Sequence, residues 1–241
     1  MPTLTKSNIE KMSRSVLAAY LKRLEAPPER IDPIDFSARM CGLHFETADL
    51  SKMTNVLGLT SCGDIEISIP LDKGHTQVLV LDGRTAYIDR SLVNTGNRGR
   101  LNFTMMHETA HHLLADFFPE EYRGILCRSS QGEKSTEIDR VERQANSLAS
   151  YLLMPRELVY KTMQNLGINK RLTPEDCMYR SPSCNSFTIM ADRLGVSKMA
   201  LSIRLNQLGI MDRVFSPTAY RNAIDIFVSD EELATEELWQ N

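Results

Sequence analysis

The chain has 241 residues, 42% of them hydrophobic and 24% charged, with a formal net charge of -3. That is enough apolar material to bury a sizeable core, as one elaborated domain or a domain with a small appendage. The negative balance supplies no global attraction to nucleic acid, no run is long and apolar enough for a membrane span, and Met1 to Ser7 lack the features of a secretory signal, so a cytoplasmic location is expected. Five cysteines, Cys41, Cys62, Cys127, Cys177 and Cys184, are odd in number and widely spaced, which reads as free thiols in a reducing compartment.

In chain order, Ser7 to Arg23 forms an amphipathic helix ended before Pro27 and Pro28. Asp32 caps a second helix running to Cys41, Gly42 ends it, and Leu43 to Glu46 turns extended. Four strands are expected at Asn55 to Ser61, Asp64 to Ile69, Gln77 to Leu81 and Thr85 to Asp89, with Asp82-Gly83 as a hairpin turn between the last two. His44 and His75 read as surface or packing residues.

A helix from near Asn97 or Arg98 to Ala115 then carries His107-Glu108-Thr109-Ala110-His111-His112. His107 and His111 stand one turn apart and project from one face, where both imidazoles can grip one metal ion. Glu108 sits beside them, placed to take a proton from a water that the metal acidifies, the general-base role in a zinc-dependent hydrolase. His112 points about 100° away and is expected to hydrogen-bond a neighbouring strand rather than share the metal.

A catalytic zinc site normally has three protein ligands and an open position for water. Tyr122 to Ser135, polar and glycine-containing, reads as a loop, either a lid or a plain connection. The next helix, Thr136 to Leu153, has a core-facing stripe of Ile138, Val141, Ala145, Leu148 and Leu152. Glu142 lies beside that stripe, and the small Ala145 one turn away would let two helices approach closely enough for its carboxylate to complete the site. Glu137 and Asp139 read as solvent-facing charge, with a reserve role as a ligand or as a hydrogen-bond partner of a ligand histidine.

The run Arg100 to His111, followed by Glu142-Arg143-Gln144-Ala145-Asn146 and Leu152-Leu153-Met154-Pro155, resembles the ImmA/IrrE family of bacterial metallopeptidases in order and spacing. Thr109-Ala110 stands where Leu-Gly is common and Leu148 where Phe is usual; neither change touches a candidate ligand. The resemblance covers roughly residues 30 to 211. It implies an α+β fold: a zincin-like peptidase core with a small β-sheet and metal-binding helices, in which an edge strand lines the cleft. Zn2+ would be held by His107, His111 and Glu142, with Glu108 as the catalytic base. Candidate oxyanion donors are Tyr151, Tyr160, Arg143 and Tyr179, which sequence does not rank.

Phe187 to Met211 matches a helix-turn-helix pattern: Ala191 where helices cross, Gly195 at the turn, and Ser197 capping the next helix, with Leu201, Arg204 and Leu205 following. Its polar face offers Lys198, Arg204, Asn206 and Gln207, a thin set for reading DNA, so direct DNA binding ranks below a structural or substrate-docking role. The expected organisation is an N-terminal helix over 1–28, the peptidase core over 29–170, the helix-turn-helix-like unit over 171–214 and an acidic tail over 215–241. The resemblance implies cleavage of a helix-turn-helix repressor encoded nearby, relieving repression of mobile-element or stress-response genes. The alternative is a non-enzymatic regulator that binds DNA or protein and keeps a structural or vestigial metal site.

Overall fold

The computed structural model describes residues 4–50, 53, 56–70, 75–119, 122, 136–173 and 182–211. The architecture is α+β, consistent with a zincin-like domain, and the chain divides into two compact units between Leu153 and Met154. Among the described residues no helix is long and apolar enough to cross a membrane.

In the first unit, helix α1 (Lys6–Leu21) is capped by Thr5, which accepts from the Asn8 N–H, and packs along α5 (Thr136–Leu153). Helix α2 (Pro33–Cys41) starts at Asp32, whose carboxylate accepts from the Ile34 and Asp35 amides, and ends at Gly42 with φ 64°. Proline at the first helical position and a left-handed glycine after the last are the residues these ends favour.

Among the described residues five strands follow: β1 (His44–Ala48), β2 (Gly58–Leu59), β3 (Asp64–Pro70), β4 (Thr76–Asp82) and β5 (Thr85–Asp89). They form two sheets. The first has the order β1-β5-β2, with β1 parallel and β2 antiparallel to β5; the second is the antiparallel pair β3-β4. The hairpin expected between β4 and β5 is therefore absent, because β4 pairs back on β3. Asp82-Gly83 does turn the chain: Asp82 accepts from the Arg84 and Thr85 amides and Gly83 has φ 72°, but the turn is a corner that passes the backbone from one sheet to the other. A Cβ at Gly83 would lie 3.3 Å from the Cys62 carbonyl carbon and the Gly63 nitrogen, so the corner packs directly on the 62–63 backbone. Alternating residues of β3 and β4, Ile67, Ile69, Leu79 and Leu81, bury against Ala48, Leu50 and Leu59.

After the short helix α3 (Arg90–Asn94), α4 (Arg98–Phe117) begins at Asn97, whose side chain accepts from the Arg100 amide. Its buried set from Thr104 to Ala115 covers nearly every face, so α4 is a central helix and its polar residues must find partners inside. Thr109 bonds the Met105 carbonyl and the Ser37 hydroxyl of α2. The inward stripe of α5, Ile138, Val141, Ala145, Leu148 and Leu152, is buried throughout.

The second unit contains α6 (Arg156–Asn165), α7 (Pro182–Leu194) and α8 (Lys198–Gln207). Gly195, at φ 70°, turns the chain between α7 and α8, and Ser197 accepts from the Ala200 amide to open α8. Ala191, Leu194, Leu201 and Leu205 are buried. Arg204 is also buried: its Nε donates to the Met154 carbonyl at 2.9 Å and Nη1 to Gln207 at 3.4 Å. Of the side chains expected to form a polar face on α8, Arg204 is turned inward.

Candidate active site

Three donors from two helices meet in the first unit. His107 and His111 lie one turn apart on α4, their rings edge to face with centroids 4.5 Å apart. Glu142 arrives from α5, whose fully buried Ala145 offers no bulk where the helix packs beside α4. Glu142 Oε2 is 3.1 Å from His107 Nε2, Oε1 is 3.4 Å from His111 Nε2, and the two Nε2 atoms are 2.9 Å apart. One donor atom from each residue lies within 4.8 Å of the others.

This donor set fits a metal ion. Two imidazole nitrogens and one carboxylate suit zinc, and nitrogens 2.9 Å apart can both lie on one centre at Zn–N distances of about 2.0–2.1 Å. At 2.9 Å the two Nε2 atoms share a proton as an N–H···N hydrogen bond when one ring is protonated there and the other is not, and a cation held by both would take that proton's place. The Nδ1 atoms of both rings are buried and make no hydrogen bond among the described residues, so no such bond holds either ring.

The charges are correspondingly shifted. Burial disfavours a charged His107, but its hydrogen bond to Glu142 and the charges of Glu142 and Glu108 outweigh this and lift its pKa to about 9. Asn146, one turn beyond Glu142, acts in the same direction. Burial also opposes the Glu142 carboxylate, yet the His111 charge and hydrogen bonds from both histidines hold it well below the usual carboxylate range. Glu108 goes the other way: burial, only partly offset by His107 and His111 and reinforced by Glu142, raises its pKa. Two carboxylates in one site are thus driven apart, the pattern that separates an anionic ligand from a proton acceptor.

The surroundings hold Glu108 and its helix. Glu108 is 5% exposed and lies against Gly58 of β2, where a Cβ would collide with its carboxylate. His112 Nε2 bonds Thr60 Oγ1 immediately after β2, the strand contact expected of it. Burial, with a smaller contribution from His111, depresses the His112 pKa to about 4, keeping the ring neutral.

Of the sequence-derived residues, His107, Glu108, His111 and Glu142 are brought together. Arg143 follows Glu142 on α5 and is partly buried. Tyr151 is buried nine positions further along α5, roughly 13 Å at 1.5 Å per residue and on the opposite side of the helix, so it is not at the cluster. Tyr160 lies on α6 in the second unit, with the Arg156 guanidinium 5.2 Å over its ring. Tyr179, Cys127, Cys177, the 123–135 loop and the 215–241 tail lie outside the described residues. Asp139 is exposed, as are His44 and His75, and neither Cys41 nor Cys62 is in a disulfide. From the sequence Gly58 has no assigned role, and Asn146 none beyond its place in the Glu142–Asn146 block, although an isolated glycine within a strand marks close backbone approach.

In this α+β architecture two histidines of one helix and a glutamate of a second form a group that could hold a metal ion. The profile of the IrrE N-terminal-like domain, a peptidase family, matches residues 92–206, a span that includes all four clustered residues. This match agrees with the resemblance of the motif blocks between Arg98 and Pro155 to the ImmA/IrrE family, and that family implies metal-dependent protease activity. No curated protein matches the chain.

Proposed function

We propose that the protein is a zinc-dependent endopeptidase that cleaves a helix-turn-helix transcriptional repressor in the cytoplasm, relieving repression of mobile-element or stress-response genes. The observation carrying the peptidase reading is the convergence of His107, His111 and Glu142 within 4.8 Å beside the buried Glu108. The repressor substrate follows from the family resemblance.

His107, His111 and Glu142 would hold the zinc ion. When bound, zinc would supply Lewis acidity that polarises a scissile carbonyl and lowers the pKa of a water to about 7. Glu108 accepts a proton from the attacking water and returns one to the leaving amine, a role suited to a carboxylate whose pKa burial raises. Its burial excludes competing solvent, while Glu142, held anionic, remains a ligand. The helical pair α7 and α8 serves as a structural or substrate-docking unit. The inward Arg204 speaks against a DNA-reading role, since it removes a cation from an already thin polar face.

The test is co-expression of wild type, Glu108→Gln and His107→Ala with the repressor encoded beside the gene, followed by mass spectrometry of fragments and metal analysis. Wild type should bind one zinc and cut at a defined site. Glu108→Gln should keep the zinc and lose about 10²–10⁴-fold in cleavage, whereas His107→Ala should lose both. Equal cleavage by wild type and Glu108→Gln would end the mechanism, and tight operator binding by an inactive, metal-free wild type would favour the non-enzymatic regulator.

A further inference from the structure

Gly58 is half-buried on β2, paired with Ile88 of β5, and its backbone is outside the left-handed region that favours glycine. Turn geometry therefore does not require glycine here. Space does. A Cβ at this position would lie 2.9 Å from Glu108 Cδ and 2.8 Å from Thr104 Cγ2, and closer still to Glu108 Oε1. Real Cβ atoms essentially never approach so closely. The strand backbone is thus one wall of the pocket that receives the Glu108 carboxylate, and Thr104, one turn earlier on α4, is another.

We propose that Gly58 is a positioning residue for the catalytic base: the missing side chain on the strand leaves the volume in which Glu108 lies beside the His107–His111–Glu142 cluster. This inference rests on the peptidase reading for its catalytic consequence and on packing alone for its structural one. A methyl group at position 58 displaces the carboxylate from its place, and the nearest atoms it meets belong to Glu108 and Thr104 rather than to the three metal donors. The backbone at 58 accepts alanine, so the strand itself is not the obstacle, and the strain falls on α4 side chains.

Two measurements test it on the full chain as purified. The first is a thermal double-mutant cycle. Gly58→Ala should lower the Tm by several degrees when Glu108 is present, and most of that loss should vanish in the Glu108→Ala background, because the methyl then enters vacated space. Additive Tm changes would overturn the proposal. The second is steady-state cleavage with zinc binding measured in parallel. Gly58→Ala should reduce kcat by about a hundredfold, the scale of a misplacement near 1 Å, with KM and zinc affinity unchanged. A strand residue acting through substrate contact would move KM instead, and unchanged kcat would also reject the role. If wild type cleaves nothing, the peptidase reading fails, while the Tm cycle still decides whether Gly58 holds Glu108 in place.

Discussion

The α4–α5 cluster and the α7–α8 pair both bury charged side chains, but they treat them differently. On α8, Arg204 is 3% exposed and its guanidinium is bonded to the Met154 carbonyl and to Gln207, so burial is matched by local partners. On α4 and α5, Glu108 is pressed against a strand, two ring nitrogens face each other at 2.9 Å, and two carboxylates are pushed to opposite protonation behaviour. A satisfied buried charge holds a fold together. A crowded one, with donor atoms aimed at a common point, marks a place for a ligand and for chemistry.

Removing a donor from the crowded region should have the largest effect. Glu142→Ala should lower zinc affinity by more than the roughly 10–100-fold typical of partners outside the ligand shell, measured by competition with a chelator. Retention of wild-type affinity would mean that the carboxylate is not a ligand.

Proton competition sharpens the contrast further. In the metal-free chain His107 stays protonated up to about pH 9, and zinc needs the neutral ring, so binding must expel that proton. Below this pH, apparent zinc affinity should fall by about tenfold per unit as the proton competes more strongly. Calorimetry in buffers of different ionisation enthalpy should show the released proton near pH 7. A flat affinity between pH 6 and 9 would contradict the His107–Glu142 pairing.

The smallest effect belongs to the satisfied charge. Arg204→Met should cost about 1–3 kcal/mol by leaving the Met154 carbonyl without its charged donor, seen as a lower Tm with zinc content unchanged. Full stability together with lost operator binding would reverse the comparison and make Arg204 a DNA-reading residue.

Much of this arrangement was legible in the chain, though unevenly. Helix α5 runs from Thr136 to Leu153 as its stripe indicated, and Asp32, Gly42, Asn97 and Ser197 all act as the helix ends their residue types suit. Caps and stripes are local, set within a turn or two of helix, so sequence carries them. Asp82-Gly83 makes the turn its residue types suit but no β4–β5 hairpin, because a turn bends the chain but does not choose a partner strand. Burial of Ile67, Ile69, Leu79 and Leu81 with Ala48, Leu50 and Leu59 accompanies the pairing of β4 with β3 rather than β5.

By itself the sequence determined the chemistry available: two imidazoles one turn apart, a carboxylate next to the first, and a second helix with a glutamate beside a small residue. Helical periodicity is a property of the backbone and needs no distant contact. Only the tertiary structure decided that Glu142 reaches both rings, that Arg204 faces inward, and that a glycine fifty residues upstream makes room for Glu108. Those outcomes depend on how close two packed surfaces come, and that distance is set jointly by side chains far apart along the chain.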